Sequence, residues 1–223
     1  MRTLILASAS PRRRQLLALG GWSFEVRAVA ADETPLPGEP PDVFVRRMSV
    51  TKAELAAASL NGAAPEAVLI ASDTTVVADG LILNKPADVR EATAMLTRLR
   101  GRDHEVLTAV TVLDLANGRA DTDLARSRVP MRAYSDAEIA AYVASGDPLD
   151  KAGAYAIQHP AFQPVERARF RDCFANVMGL PLCHVLRRLR TLGLDAATDL
   201  PAACQRFIPY TCPVFESILS ETA

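Results

Sequence analysis

An aspartate set into a run of apolar residues is the first feature with chemical content. Asp73 follows Val68, Leu69 and Ile70 and precedes Thr74, Thr75, Val76 and Val77. A carboxylate inside a strand this apolar is costly unless it holds a metal or a hydrogen-bond network, and buried carboxylates are rare and often sited for chemistry. Lys85, beside Pro86, ends the hairpin that Asp73's strand begins, so it is either returned towards Asp73 or is an exposed turn lysine. Lys52 lies on the line Val45, Met48, Lys52, Leu55, a helical stripe that should face inward. A lysine seldom points at a core without a partner, the alternative being one that snorkels from the stripe's edge.

A second group suggests anion binding. Ser8, Ala9, Ser10, Pro11, Arg12 and Arg13 sit where a buried strand hands over to a helix N-terminus. Free backbone N–H groups and the helix dipole favour phosphate at such a joint, small residues let it approach, and arginines supply forked donors. An ordinary capped helix with solvated arginines has the same spacing, since the run is neither a Walker nor a Rossmann glycine pattern. Glu33, between Asp32 and Thr34, reads on its own as a solvated loop carboxylate. Residues 146–153, with Gly146, Pro148 and Gly153, form a rigid turn that delivers Lys151, as a loop closing over a ligand or as a linker.

The elements that must position these residues alternate between strands and helices. Residues 3–7 read as a buried strand, and residues 11–19 as a helix with Ser10 at its N-cap, ended by Gly20 and Gly21. A strand over 24–29 and an acidic, proline-rich loop over 32–41 follow, then a helix capped by Asp42 and running to about residue 59. Residues 68–77 are strongly β-prone, and Asp79 with Gly80 turns them into a return strand over 81–83. Asp88 with Glu91 opens a helix through residue 99, and a longer hairpin over 106–113 and 124–134 is centred on Asn117 and Gly118. Ser135 with Glu138 caps a further helix stopping at Gly146, and the last regular helix covers about 181–192. Beyond Gly193 the pattern fades, so residues 1–192 read as one catalytic domain and 193–223 as an appendage with weak structure. The two hairpins rule out a purely parallel sheet and leave an α/β fold around a mixed sheet.

Bulk properties narrow the function classes. A chain of 223 residues with 49% hydrophobic and 23% charged residues can bury a core. A formal net charge of -1 argues against a nucleic-acid or anionic-membrane binder, so any phosphate site must be local. The apolar stretch before Pro11 is too short for a secretory signal or a membrane span, which implies a cytoplasmic protein. Cys173, Cys183, Cys204 and Cys212 lack CxxC pairing, and His104, His159 and His184 are scattered, so neither a zinc site nor a disulfide framework is indicated.

Together these blocks resemble the Maf family over about residues 4–189. The resemblance is carried in order by residues 8–13, Asp32 with Glu33, Lys52 with Ala53, residues 72–74, Lys85 with Pro86, residues 150–158 and residues 176–181. It implies a nucleoside triphosphate pyrophosphatase that cleaves between the α and β phosphates, on a mixed twisted sheet with flanking helices and two lobes around a central nucleotide-binding cleft. It further implies that Arg13, Lys52 and Lys85 bind phosphate, with Ser8, Ser10 and Lys151 also at the substrate. Glu33 and Asp73 would hold Mg²⁺ or Mn²⁺ and orient the attacking water. An ordinary aspartate, with a pKa of about 3.9, is a weak base for free water and better suited to a metal-bound one. Arg12, Thr74 and Gln158 match the branch similar to dTTP and UTP pyrophosphatases, and a glutamine can meet a uracil or thymine edge with both a donor and an acceptor. A homodimer is implied by the same resemblance. After Gln158 the family usually continues with glycines, whereas this chain has His159, Pro160, Ala161 and Phe162. Two other functions stand beside this one: a non-enzymatic regulator of septum formation, which would not need the carboxylates and cations in place, and a purine-directed house-cleaning pyrophosphatase, which lacks the block at residues 8–13.

Overall fold

A computed structural model describes residues 2–221. Six strands form one mixed sheet: β1 (Leu4–Leu6), β2 (Phe24–Val26), β3 (Val68–Ala78), β4 (Leu81–Leu83), β5 (Asp103–Asp114) and β6 (Arg119–Pro130). Their order is β2-β1-β3-β5-β6, with β4 on the edge of β3. β1 runs parallel to both of its neighbours, and the remaining pairs are antiparallel.

Helices cover both faces, and this explains why β3 reads as nearly continuous apolar sequence. On one face lies α2 (Pro41–Ser59), whose Ala53 and Ala56 pack with Leu69 and Ala71, while its Val45 clusters with Val77. Val68, Ile70, Val76 and Ala78 point the other way, into the main core with α1 (Pro11–Ala18), α3 (Val89–Leu99), α4 (Asp136–Ala144) and α6 (Leu182–Arg190). The remaining α-helices of the described residues are α5 (Phe174–Val177), α7 (Leu200–Phe207) and α8 (Phe215–Ser220).

The pairing leaves a notch in the sheet. β1 covers β3 only at Val68, Leu69 and Ile70, and β4 covers it only at Val76, Val77 and Ala78. Residues 72–75 are therefore paired on one side alone, to β5. The chain leaving β1 enters α1 at one lip of this notch. The chain leaving β4 reaches Asn84 and Lys85 at the other.

Several expected boundaries differ. β2 stops at Val26, and β6 occupies 119–130 in place of 124–134 because the turn at Asn117 and Gly118 sets Asp114 opposite Arg119 and so fixes the register of the whole hairpin. Asp42 is not the cap of α2: Pro40 holds that position, and Asp42 lies in the first turn, 3.4 Å from Arg126. Leu55 is exposed, since the buried stripe continues through Lys52 to Ala53 and Ala56, following the 3.6-residue period of the helix.

The tail is also better ordered than expected. Trp22 Nε1 donates to Asp195 O (2.8 Å) and Ala197 N to Gly20 O (2.9 Å), while Leu200 and Ile208 are buried. Tyr210 packs on Phe170 and Phe174 with ring centroids 5.3 and 5.8 Å away, and Arg187 on α6 donates to Ile218 O at 3.1 Å. The helices there are short and dock through scattered residues such as Leu200, Ile208 and Tyr210, so no long amphipathic pattern marks them. The four cysteines are free thiols, two buried and two partly so. Among the described residues no helix is long and apolar enough to cross a membrane.

Candidate active site

A cleft of about 390 Å³ opens over the notch. The residues expected to act on substrate or metal line it: Ser8, Ser10, Arg12 and Arg13 from the β1–α1 joint, Glu33 from the acidic loop, Lys52 from α2, Asp73 and Thr74 from β3, Lys85 after β4, and Lys151 and Gln158 from the loops after α4. Successive residues of a strand point to opposite faces. Asp73 accordingly reaches the α2 side and Thr74 the α1 side, and the missing strand lets both meet one cleft.

Lys52 organises the α2 side. Its Nζ donates to Asp73 Oδ1 and to Glu33 Oε1, both at 2.6 Å, and Lys85 Nζ approaches Glu33 Oε2 at 3.4 Å. The Lys52 and Asp73 side chains are 10% and 8% exposed, so neither charge is solvated, and each is satisfied by the other. Lys52 thus has an inward partner and does not snorkel. Burial disfavours the ionised Glu33, but the hydrogen bond and charge of Lys52, aided by Lys85, outweigh it and hold the carboxyl below its ordinary value. The loop carrying Glu33 is pinned from behind: Arg47 binds Glu39 through Nε and Nη2 at 2.7 Å each, and Nη2 also donates to Thr34 O at 3.2 Å. Glu33 is therefore a held group, unlike the solvated loop carboxylate that its neighbours in sequence suggest.

Arg13 organises the α1 side. Ser10 caps α1 by accepting from Arg13 N, and the guanidinium turns inward to donate to Gly179 O (2.9 Å), Thr74 Oγ1 (3.1 Å) and Ser8 Oγ (3.4 Å). Burial lowers its pKa and the nearby Asp73 charge opposes this, but an arginine remains a cation under either influence. Gly179 has φ +104, and a Cβ there would stand 3.3 Å from Arg13 Nε and 3.4 Å from Thr74 Oγ1. Ser72 Oγ donates to the same Gly179 carbonyl at 2.8 Å. Behind Thr74 the chain of contacts continues to Thr108 Oγ1 (3.0 Å), which donates to Asn176 O (3.1 Å).

Lys151 is delivered to the cleft wall, but its ammonium is engaged by Asp150 (2.6 Å) and Asp147 (2.9 Å). The same loop approaches β3 so closely that a Cβ on Gly153, at φ +67, would lie 2.8 Å from Val76. The departure after Gln158 is a side-chain-capped turn: His159 Nδ1 accepts from Phe162 N at 2.8 Å, and Phe162 stacks on Tyr142 at 4.3 Å. His159 and Phe162 thereby supply a packed turn at a place where the family usually has glycines.

Some lining and supporting groups were not anticipated. Tyr155 lines the cleft and its hydroxyl shares a 2.8 Å hydrogen bond with His104 Nε2. Burial lowers the His104 pKa to about 4, so the imidazole is neutral near pH 7. Thr108 and Asn176 support Thr74, and the pairing of Thr108 with Thr74 depends on the β3–β5 register, which no local pattern encodes. Asn176 is fully buried, and its place in the block at residues 176–181 is the sequence signal that points to it.

The family profile described as Maf-like protein matches residues 3–192. A protein of Geobacter metallireducens named dTTP/UTP pyrophosphatase is 45% identical over 190 residues, covering 85% of this chain and 96% of its own. One of the same name from Thermomicrobium roseum is 44% identical and covers 99% of this chain and 98% of its own, including the tail. Among solved structures, the Staphylococcus aureus Ham1 protein aligns with 58% of this chain and 72% of its own at a TM-score of 0.42 and 13% identity, a distant similarity. On the match to its profile and on these relatives, the chain belongs to the Maf-like protein family.

Proposed function

We propose that this chain is a nucleoside triphosphate pyrophosphatase that hydrolyses the α–β phosphoanhydride of dTTP and UTP to a monophosphate and pyrophosphate. The observation that carries the reading is the Glu33–Lys52–Asp73 bridge, buried at Lys52 and Asp73, in the same cleft as Arg13 and Lys85. The relatives' names supply the substrate. A triphosphate is strongly anionic, and Arg12, Arg13, Lys52 and Lys85 lie along the cleft to receive it. Preorganised charges of this kind act on the transition state of a transferring phosphoryl group. On the side nearest Lys151 and Gln158, the Gln158 amide can offer a donor and an acceptor to a uracil or thymine edge.

The donor set suits a magnesium-like cation. Among the described residues there is no cluster of three or more histidine, cysteine, aspartate or glutamate side chains that could hold a metal. Two carboxylates, Glu33 and Asp73, do converge, and Mg²⁺ is commonly held by one or two carboxylates together with substrate phosphates and water. When bound, such an ion lowers the pKa of water and neutralises phosphate charge. Glu33 and Asp73 would hold it, with Asp73 placed to accept a proton at a carboxylate oxygen, while Lys52, Lys85 and Arg13 orient the phosphates. Action in the cytoplasm, as a homodimer, belongs to the same proposal and rests on the family resemblance.

The test is a purified-protein assay over canonical and modified triphosphates with pyrophosphate and orthophosphate detected separately. Pyrophosphate released from UTP and dTTP only when a divalent ion is present is the expected result. Orthophosphate as first product, or full activity in excess chelator, would overturn the mechanism.

A further inference from the structure

The geometry points to Lys52 as a stand-in for the divalent cation: its ammonium holds Glu33 and Asp73 together in the empty enzyme, and metal takes its place only when a triphosphate draws it away. This rests on the function proposed above and adds a coupling between two ligands of one site. The ammonium lies 2.6 Å from a carboxylate oxygen on each side, so it already occupies the position between the two groups that would hold the ion. It is 10% exposed, and Asp73 8%, so little water is available to screen a second cation placed beside it. A further positive group, Lys85, is already 3.4 Å from Glu33, which adds to the repulsion.

A nucleotide changes this balance. Its phosphates offer the ammonium a new anionic partner in the same cleft, and a lysine is a point charge on a flexible stem that can swing without losing donors. The move frees one oxygen of Glu33 and one of Asp73, while the phosphates supply the ligands that two carboxylates alone do not. Metal and nucleotide should then each tighten the binding of the other by one common factor, as linkage requires.

The test measures Mn²⁺ binding to the full chain from the loss of the free-ion paramagnetic resonance signal. It uses wild type, Lys52→Met, Lys52→Gln and Asp73→Asn, with thermal melts to establish folding. Measurements are made without nucleotide and with a non-hydrolysable α,β-imido UTP, correcting for Mn²⁺ held by the analogue in solution. Wild type alone should bind Mn²⁺ weakly, and the analogue should tighten it at least about tenfold, within the usual range of coupling between sites. Both Lys52 variants should bind Mn²⁺ without nucleotide at least about tenfold more tightly than wild type and lose most of the coupling. Unchanged metal affinity in folded Lys52 variants, alongside normal ternary binding in wild type, would overturn the stand-in role and leave the pyrophosphatase reading intact. Should the variants not fold, wild type that binds Mn²⁺ equally well with and without the analogue overturns it by itself. No Mn²⁺ binding in the ternary complex, or ternary binding indifferent to Asp73→Asn, would overturn the metal site as well.

Discussion

Asp73→Asn is the most informative single change, because the carboxylate proposed to hold metal also neutralises a buried lysine. The substitution preserves shape, removes the charge 2.6 Å from Lys52 Nζ, and leaves that ammonium with Glu33, which is 36% exposed. Removing one partner of a buried pair costs about 3–5 kcal/mol, and the remaining contact to Glu33 places this case near the lower end, at about 3 kcal/mol. For a chain of this size each kcal/mol shifts the midpoint by about 2–4 °C, so the mutant should melt cooperatively about 6–12 °C below wild type. Turnover should fall by at least a factor of about 10²–10³, the scale for losing a preorganised group at the reacting centre. The double mutant Lys52→Met, Asp73→Asn removes both charges and should recover at least half of the lost stability with no recovery of activity. Calorimetry and pyrophosphate release on the three proteins provide the check. A single mutant that melts within about 1 °C of wild type, or a double mutant no more stable than the single, would refute the buried-pair account.

The other expectations concern separate parts of the cleft. Gly179→Ala forces a side chain into φ +104 beside Arg13 and Thr74; it should cost about 1–3 kcal/mol and at least tenfold in kcat/KM, and unchanged kinetics would mean that Arg13 is not positioned by that carbonyl. Lys85→Ala should lower turnover about a hundredfold while leaving the melting temperature unchanged, since its side chain is 56% exposed; a loss of only a few-fold would return it to an ordinary turn lysine. Gln158→Glu should lower the ratio of UTP to GTP efficiency by about tenfold, because a carboxylate can only accept hydrogen bonds; equal losses for both nucleotides would show that Gln158 does not read the base. Glu33 titrates below its ordinary value of 4.5 in the folded chain, so its stabilising contribution is complete above that pH and is lost as pH falls through the folded value. Denaturant titrations should therefore show the wild-type advantage over Glu33→Gln shrinking below pH 4.5, and a constant difference would contradict the lowered value.

Much of the site was visible in residue types because burying charge is so costly that each buried ion marks itself. Asp73 in its apolar run and Lys52 on its apolar stripe are of this kind, and each proves to be the other's partner. Glu33, Arg12 and Gln158 carry no such mark in sequence and were legible only through the family resemblance. Supporting groups such as Thr108 and Asn176 were hidden because their roles come from strand register and from chain segments 34 or more residues away. The same division holds for the fold. Capping at Ser135 and turning at Asn117 and Gly118 are local and were read directly, whereas the extent of β6 and the docking of the tail are decided by partners remote in sequence.

The notch in the sheet also bears on when the protein becomes active during synthesis. Its lips come from residues 8–13 and 84–85, its floor from 73–74, and its rear support from 176–179, so the cleft draws on segments from residue 8 to residue 179 before its charges meet. A nascent chain on the ribosome has made Asp73, Lys52 and Glu33 long before Gly179 emerges to seat Arg13. A chain that stops short of Gly179 thus holds the Glu33, Lys52 and Asp73 charges without a seated Arg13, and the cleft is assembled only after that residue has emerged.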